Sequence, residues 1–409
     1  MSQLSIINRV IQATILLISC WTVLFFLGPF RMEGGPIRTY YYWAGTPFDQ
    51  VPIVGAIAAP IRLIICLATL AILGIRYRKG PTKNLYADLF WLSCAGLFLL
   101  WIVSSSLREA PWPVCLSVLF CGYKFLSSKQ KTFLTDFMLM LLVLQLLICA
   151  WAYLTDYRQF HSPGIGERAS GLLENPNSIY PVAMLAFFIF IGLSSQDPVG
   201  KLSLFYRGLA VLALLVLVAT FSRAGWLGLA AGTAYLAWSR RSWISPFLCI
   251  TFSFLMGAFV VRGMPIPSSF GDRSAQGHLL SMEQGIRVLP GLLIAGGGPH
   301  AFALSNGYQT MLLRSPMAAW EPKSLPLHIA LEYGLPGLLI ALVGLGALWK
   351  VQSASPIRAL LIAVSIAGLF DTPIFANLTT MPATVLLVLA LQEDKQRKHL
   401  SHVELFGKP

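Results

Sequence analysis

Residues 206–239 read YRGLAVLALLVLVATFSRAGWLGLAAGTAYLAWS, which is two apolar runs joined by a turn that carries Ser222 and Arg223. Each run, 206–221 and 224–239, approaches the length of about 20 residues that a helix needs to cross the hydrocarbon core of a bilayer. A turn this short leaves its arginine at the membrane surface. The stretch therefore predicts two membrane-spanning helices with a basic residue at their connection.

The composition of the chain extends this prediction to all 409 residues. The chain is 56% hydrophobic and 11% charged, whereas soluble domains carry about 25% charged residues. We therefore predict one integral membrane domain, residues 1–409, with an all-α fold that is a polytopic transmembrane helix bundle. The seven cysteines lie in apolar runs without metal-binding spacing, so they are expected to pack as small apolar side chains. No cofactor and no metal are predicted.

Twelve apolar runs predict about twelve helices, some of them tilted or broken. The runs are 10–28, 52–75, 84–106, 111–127, 133–154, 177–194, 206–221, 224–239, 243–261, 326–348, 357–371 and 377–391. Loops after even-numbered runs are rich in Lys and Arg, which predicts that these loops and both termini are cytoplasmic. The net charge of +13 then reflects topology and not nucleic-acid binding. The segments predicted to lie outside are 29–50, 156–176, 222–224, 262–325 and 372–376.

The segment 262–325, between the ninth and tenth predicted helices, is the only long polar stretch in the sequence. Ten of the eleven lysines lie on the predicted inner side. Twelve Lys and Arg residues lie outside or within helices, and eleven of these twelve are arginines. Topology does not require outward arginines, and a guanidinium suits bidentate binding of phosphate or carboxylate. We therefore expect an anion-binding outer face and predict that this periplasmic loop takes part in the chemistry.

Arg223 and the pair Arg168 and Asn177 are the first candidate site residues. An arginine in a tight turn at this depth is costly unless it is paired or solvated. A snorkelling arginine beside Trp226 is the structural alternative. Asn175 or Asn177 can cap the sixth helix, and its N-terminus beside Arg168 suits an anion. A capped helix with a solvated loop explains the second pair equally well.

Within the loop, residues 276–288 have helical character, with Glu283 and Arg287 at the i,i+4 spacing of an ion pair. His278 lies on a different side of this predicted helix from Arg287. The glycine run 296–298 allows a close backbone approach to a ligand, and a plain turn explains it as well. It lacks the spacings of nucleotide-binding motifs.

The entrance to the tenth helix carries a further polar cluster. Glu321 and Lys323 stand at its rim, and His328 and Glu332 lie four residues apart on one helix face. An intramembrane glutamate normally faces the bundle interior and pairs, and Arg62 in the second helix is a candidate partner. A buried structural pair is the alternative, and His328 alone is also typical of a packed histidine.

With these residues the chain resembles the O-antigen ligase/polymerase superfamily, which are bacterial membrane glycosyltransferases that act on undecaprenyl-diphosphate-linked glycans. The likeness spans roughly residues 165–345. It rests on Arg168, Gly171, Asn175, Pro176, Asn177, Ser222, Arg223, Gly225, the glycine run 296–298, Leu327, Glu332, Gly334, Leu335, Pro336 and Gly337. Ligase-type members usually carry His-Asn nine residues before the glutamate, where this chain has Lys323-Ser324. Gly277-His278 resembles a pair in polymerase-like members, which favours that branch.

The resemblance implies glycan transfer from a polyprenyl diphosphate to an acceptor hydroxyl on the periplasmic side of the bacterial inner membrane. Arg223 suits the diphosphate leaving group together with a loop arginine. His278 is the first expected general base and Glu321 the second, while Lys323 is a base only if desolvation disfavours its charged form. The expected substrate-binding residues are Arg168, Asn177, Arg273, Arg287 and His328.

The predicted partners are an undecaprenyl-diphosphate-linked glycan donor, a glycan or lipid-glycan acceptor, membrane lipid and glycan-assembly proteins, with no nucleic acid. Two other functions stay open. A transporter or flippase of a lipid-linked glycan would fit about twelve helices with intramembrane Arg62 and Glu332, although no internal repeat supports it. An inactive scaffold of the assembly complex would fit the missing His-Asn. The sequence alone does not separate a polymerase from a ligase.

Overall fold

The computed structural model describes residues 3–27, 58–80, 85–104, 115, 117–119, 122–156, 160–162, 166–169, 176–195, 201–240, 271–298, 301–304, 322–352 and 355–370. Within these ranges the chain is almost entirely helical. The α-helices are α1 (Gln3–Leu27), α2 (Ala58–Arg78), α3 (Leu85–Ser104), α4 (Ser128–Leu154), α5 (Pro176–Ser194), α6 (Lys201–Ala219), α7 (Arg223–Arg240), α8 (Gly271–Leu292), α9 (Ala301–Leu304), α10 (Leu325–Val351) and α11 (Ser355–Phe370).

Five of the described helices are long and apolar enough to cross a membrane, namely α2, α3, α4, α6 and α10. Shorter apolar helical segments lie in α1, α5 and α11. These helices confirm a multi-pass, helical membrane protein. Nine of the twelve predicted runs coincide with a described helix. The runs 243–261 and 377–391 lie outside the described residues and the run 111–127 lies only partly within them, so the count of twelve stays a prediction.

The all-α prediction needs one small amendment. Strands β1 (Phe160–Ser162) and β2 (Gly166–Arg168) pair antiparallel, with Phe160 opposite Arg168. Pro163 and Gly164 stand between them in the sequence, and these residue types favour the tight reversal that a hairpin needs. The segment is too short and too polar for a membrane span, so local turn chemistry decides its structure.

The bundle packs most closely around α5, in which every side chain from 179 to 190 is buried. Helix α7 approaches α11 through glycines. A Cβ atom added at Gly228 would lie 2.5 Å from the carbonyl oxygen of Ala363, and one at Gly232 would lie 2.7 Å from that of Ala359. Small residues let helix backbones meet this closely, which is how helices associate where lipid removes the hydrophobic drive.

The C-terminal ends of α7 and α10 lie at one end of the bundle, where the rings of Tyr235 and Trp349 are 5.5 Å apart. The start of α11 joins them there, because Arg358 lies over the Trp349 ring and donates to the carbonyl oxygen of Gln352. This basic end also carries Arg240, Lys350 and the ion pair of Arg76 with Asp88. Basic residues are thus gathered at one end.

The opposite end, called the Arg223 end below, contains the turn between α6 and α7. It also contains the C-terminal end of α11 and the start of α10. There a Cβ atom on Gly368 would lie 3.1 Å from Leu325 Cδ2. Helix α8 packs beside that start, so the Arg223 end collects most of the residues that the sequence marks as functional.

Candidate active site

Arg223 is the first residue of α7, and its side chain is exposed. Phe221 has the left-handed φ of 49° that reverses the chain after α6. Buried Ser222 then caps α7, because its Oγ accepts a hydrogen bond from the backbone N–H of Gly225 at 3.3 Å. A guanidinium and the positive end of the helix dipole therefore lie together at the surface of the bundle.

The hairpin joins this turn through one backbone hydrogen bond. Ala169 N–H donates to the carbonyl oxygen of Ala219 at 2.8 Å, one residue after β2 ends at Arg168. The backbone of Arg168 is therefore held beside the end of α6, close to the turn that carries Arg223. Asn177 is the second residue of α5.

Lys323 occupies a sharp turn at the entrance to α10. Its φ of 51° is unusual for a residue with a side chain, and its side chain is half-buried. The following residue, Ser324, is extended and buried, and its carbonyl oxygen accepts the backbone N–H of His328 at 2.8 Å. Lys323-Ser324, which stands where ligase-type members usually carry His-Asn, thus lies in a tightly held turn at the Arg223 end.

Helix α8 confirms the helical prediction for residues 276–288 and extends it at both ends. Arg287 forms the predicted i,i+4 ion pair with Glu283, and both side chains are exposed. Arg273 and His278 lie in the N-terminal half of the same helix. The face around Gly285 contacts the approach to α10, since a Cβ atom there would lie 3.1 Å from Pro322 Cβ.

The glycine run after α8 forms a turn that docks against α10. Gly297 N–H donates to the carbonyl oxygen of Leu331 and Gly298 N–H to that of Glu332, while Leu335 N–H donates to that of Leu293. These bonds are possible because α10 is interrupted at Gly334, whose φ of 72° and ψ of −178° are non-helical. Helix α10, which coincides with the predicted run 326–348, is therefore broken at this residue. In the sequence, Gly334 and Pro336 are the residues that indicate this break.

Arg62 of α2 completes this contact. Its side chain is 5% exposed, and it donates from Nε to the carbonyl oxygen of Ala295 at 3.1 Å and from Nη2 to that of Gly296 at 2.8 Å. Residue Arg62, the turn 295–298 and the α10 break at 331–335 are called the three-way joint below. No sequence pattern predicts that Arg62 meets the glycine turn, because the two are far apart in the chain.

His328 and Glu332 meet as a buried pair within the first part of α10. His328 Nε2 lies 3.1 Å from Glu332 Oε1, and both side chains are almost fully buried. Arg62, the candidate partner of Glu332, directs its two described hydrogen bonds to the glycine turn.

The candidate residues therefore form two groups on either side of the start of α10. Arg223 and the backbone of Arg168 lie at the α6–α7 turn, while Arg273, His278 and Arg287 belong to α8. Glu321 lies outside the described residues. Within the part of the chain that the structure describes, no group of three or more His, Cys, Asp or Glu side chains could hold a metal ion.

Comparison with known proteins supplies the last observation. Residues 208–342 match the family model described as O-antigen ligase. No curated protein matches the chain. The matched region runs from α6 into α10, so it contains the Arg223 turn, α8, the glycine turn and the α10 break. Over these residues the chain is therefore similar to the O-antigen ligase family.

Proposed function

We propose that the protein is a glycosyltransferase that moves a glycan from undecaprenyl diphosphate to a saccharide or lipid-saccharide acceptor. The reaction takes place on the periplasmic face of the inner membrane and needs no metal. The match to the O-antigen ligase family supports an enzyme of this type in a membrane. The acceptor decides between polymerase and ligase activity, and both are retained here.

One observation carries this proposal, the exposed arginine at the N-terminus of α7. The donor leaves as a diphosphate, and negative charge develops on its bridging oxygen as the bond to the sugar breaks. A guanidinium can hold such an anion through two parallel hydrogen bonds. The N-terminal N–H groups of α7 add partial positive charge at the same place. Arg223 therefore stabilises the leaving group in the proposed mechanism.

The acceptor side of the reaction needs a base. The acceptor hydroxyl attacks the anomeric carbon, the bond from that carbon to the diphosphate oxygen breaks, and the hydroxyl proton passes to the base. His278 on α8 is the proposed base, and Glu321 is the second choice. Lys323 then acts as a further contact to the diphosphate, together with Arg273 or Arg287. Arg168, Asn177 and His328 are the remaining proposed substrate contacts.

The proposed sidedness follows from the separation of charges along the bundle. Arg76, Arg240 and Lys350 lie at the basic end, and positively charged ends of membrane helices are retained in the cytoplasm. The Arg223 end then faces the periplasm, as does the loop 262–325. A polyprenyl-linked donor has its lipid chain in the bilayer and its glycan on the periplasmic side. It would therefore reach the Arg223 end by diffusing within the membrane.

The test uses purified protein in liposomes with undecaprenyl-diphosphate-linked glycan and a saccharide acceptor. We expect transferred glycan from the wild type and a loss of about 100-fold or more with Arg223→Ala, in line with removal of a group that stabilises developing charge. Arg207→Ala is the matched control, because Arg207 is an exposed arginine on α6 on the side of the basic end. It should retain wild-type transfer.

Three results separate this function from its rivals. Transfer that depends on Arg223 supports the proposal. Movement of intact donor across the bilayer without transfer would identify a flippase. Neither activity, from protein that is folded and lipid-embedded, would favour a scaffold and overturn the enzyme.

A further inference from the structure

Arg62 is a buried cation in a helix that is otherwise apolar enough to span the membrane. A charge in such a place is costly unless it is paired or hydrogen-bonded. Arg62 meets this requirement with the carbonyl oxygens of Ala295 and Gly296, which lie in the turn that follows α8. A cation is favoured at this end of a helix, where the dipole is negative and carbonyl groups lack helical partners.

The carbonyl groups that Arg62 binds belong to a turn with no room to shift. A Cβ atom on Gly296 would collide with the backbone of Glu332, and one on Gly334 would lie 2.7 Å from the carbonyl oxygen of Ile294. The same turn donates to the carbonyl oxygens of Leu331 and Glu332. The three-way joint therefore fixes the C-terminal end of α8 by backbone contacts on two sides.

The orientation of α8 matters because of what the helix carries. Arg273, His278 and Arg287 lie along it, and its Gly285 face packs beside Pro322, next to Lys323. The part of the chain before residue 271 lies outside the described residues. Within the described residues, the joint holds the end of α8 against α2 and α10, beside the apolar packing of Val288, Leu289 and Leu292 against Leu327, Phe302 and Leu331.

We propose that Arg62 is a positioning residue for glycan transfer, because it holds the end of α8 and thereby sets where the α8 side chains stand relative to Arg223. This role rests on the proposed function. Arg62 does not contact the substrate in this account, since both described donor contacts go to the backbone and the side chain is buried. A displacement of about 1 Å in a catalytic group can cost about 100-fold in rate.

The first experiment replaces Arg62 in the full-length protein and measures transfer in liposomes. Arg62→Met should lower transfer by about 10- to 100-fold. The transfer rate of Arg62→Lys should lie between those of the wild type and Arg62→Met, because a lysine can donate to one of the carbonyl groups but lacks the planar fork. Arg358→Met is the matched control, since Arg358 also donates to a backbone carbonyl, at 2.7 Å, but at the basic end. It should leave transfer unchanged.

The second experiment restores the position of α8 by another bond. The Cβ atom built on Gly285 lies 3.1 Å from Pro322 Cβ and 2.7 Å from Leu327 Cδ2. A disulfide uses a Cβ–Cβ separation of about 3.5–4.5 Å, so the two elements move apart by a few tenths of an ångström and the Leu327 side chain shifts as the bond forms. Gly285→Cys with Pro322→Cys should therefore cross-link α8 to the approach to α10. Oxidation of this pair in the Arg62→Met protein should recover transfer to within about threefold of the same pair with Arg62 present, and reduction should remove the recovery.

The rate of disulfide formation gives a readout that does not need activity. The pair should cross-link several-fold more slowly with Arg62→Met than with Arg62, because the end of α8 is no longer held. If the wild type transfers no glycan, the proposed function fails while this rate still tests the joint. If Arg62→Met does not accumulate in the membrane, Arg62→Lys takes its place in each comparison.

Three outcomes would overturn the positioning role. Unchanged transfer and an unchanged cross-linking rate in Arg62→Met would show that α8 does not depend on Arg62. A complete cross-link without recovery of transfer would show that Arg62 acts in another way, such as on the substrate itself. Full activity of Arg62→Met together with slower cross-linking would show that transfer does not depend on how the end of α8 is held.

Discussion

At the scale of a single residue, the backbone strain at Lys323 can be tested separately from the function of its side chain. A left-handed φ of 51° costs a residue with a Cβ atom about 1–3 kcal/mol, whereas glycine adopts it readily. The chain keeps a lysine here all the same, between buried Pro322 and buried Ser324. In the proposed mechanism the Lys323 side chain contacts the diphosphate, and this contact would offset the cost of the strained backbone.

The prediction at this scale uses Lys323→Gly and Lys323→Asn. Both residues tolerate the left-handed region, so stability should stay within about 1 kcal/mol of wild type. Transfer should fall about tenfold with either, because each removes one charge-assisted contact to the diphosphate. Thermal unfolding in detergent and the liposome assay measure the two effects. Wild-type transfer in both variants would remove Lys323 from the site.

At the scale of elements, the interruption of α10 connects the fold with the site. The break at Gly334 frees backbone groups in mid-helix, and the turn after α8 satisfies several of them. Irregular backbone at membrane depth is tolerated where protein covers it in this way. The helix is therefore broken at the place where a second element docks, and the docking element carries the candidate base.

Gly334→Ala tests this connection, with Gly346→Ala as its control in the same helix. An alanine at 334 would need a backbone conformation that is nearly restricted to glycine and would meet the carbonyl oxygen of Ile294, so stability should fall by about 1–3 kcal/mol or more. Gly346 lies in regular helix with nothing within 4 Å of an added Cβ atom, so alanine there should stabilise by about 0.4–1 kcal/mol. Denaturation in detergent measures both.

One outcome of this comparison would contradict the proposed role of the break in α10. Equal stability of the two variants would show that α10 does not need the break at Gly334. It would also remove the reason for the fixed position of the glycine turn, and with it the structural basis of the three-way joint.

For the whole molecule, apolar run length predicts where most described helices lie, because span length is a local property of the sequence. The helical character of residues 276–288, with Glu283 and Arg287 at i,i+4, likewise predicts the middle of α8. The contact of Arg62 with Gly296 joins positions that no local pattern relates. The two-stranded hairpin and the break at Gly334 depend on short turn motifs, which are harder to recognise in a sequence than long apolar runs.

The separation of a basic end from an Arg223 end gives the molecule its proposed working direction. The sequence predicts that lysines concentrate on the inner side, because topology requires positive charge there. It predicts that arginines prevail elsewhere, and guanidinium groups suit bidentate contacts with phosphate oxygens. The central claim is that the Arg223 end binds the diphosphate of the donor lipid.

An experimental map of the protein in a lipid nanodisc with undecaprenyl-diphosphate-linked glycan tests this claim most directly. We predict phosphate oxygens within about 3 Å of the Arg223 guanidinium, between the α6–α7 turn and α8. A diphosphate bound at the basic end, or at the Arg223 end but out of reach of Arg223, would contradict the account.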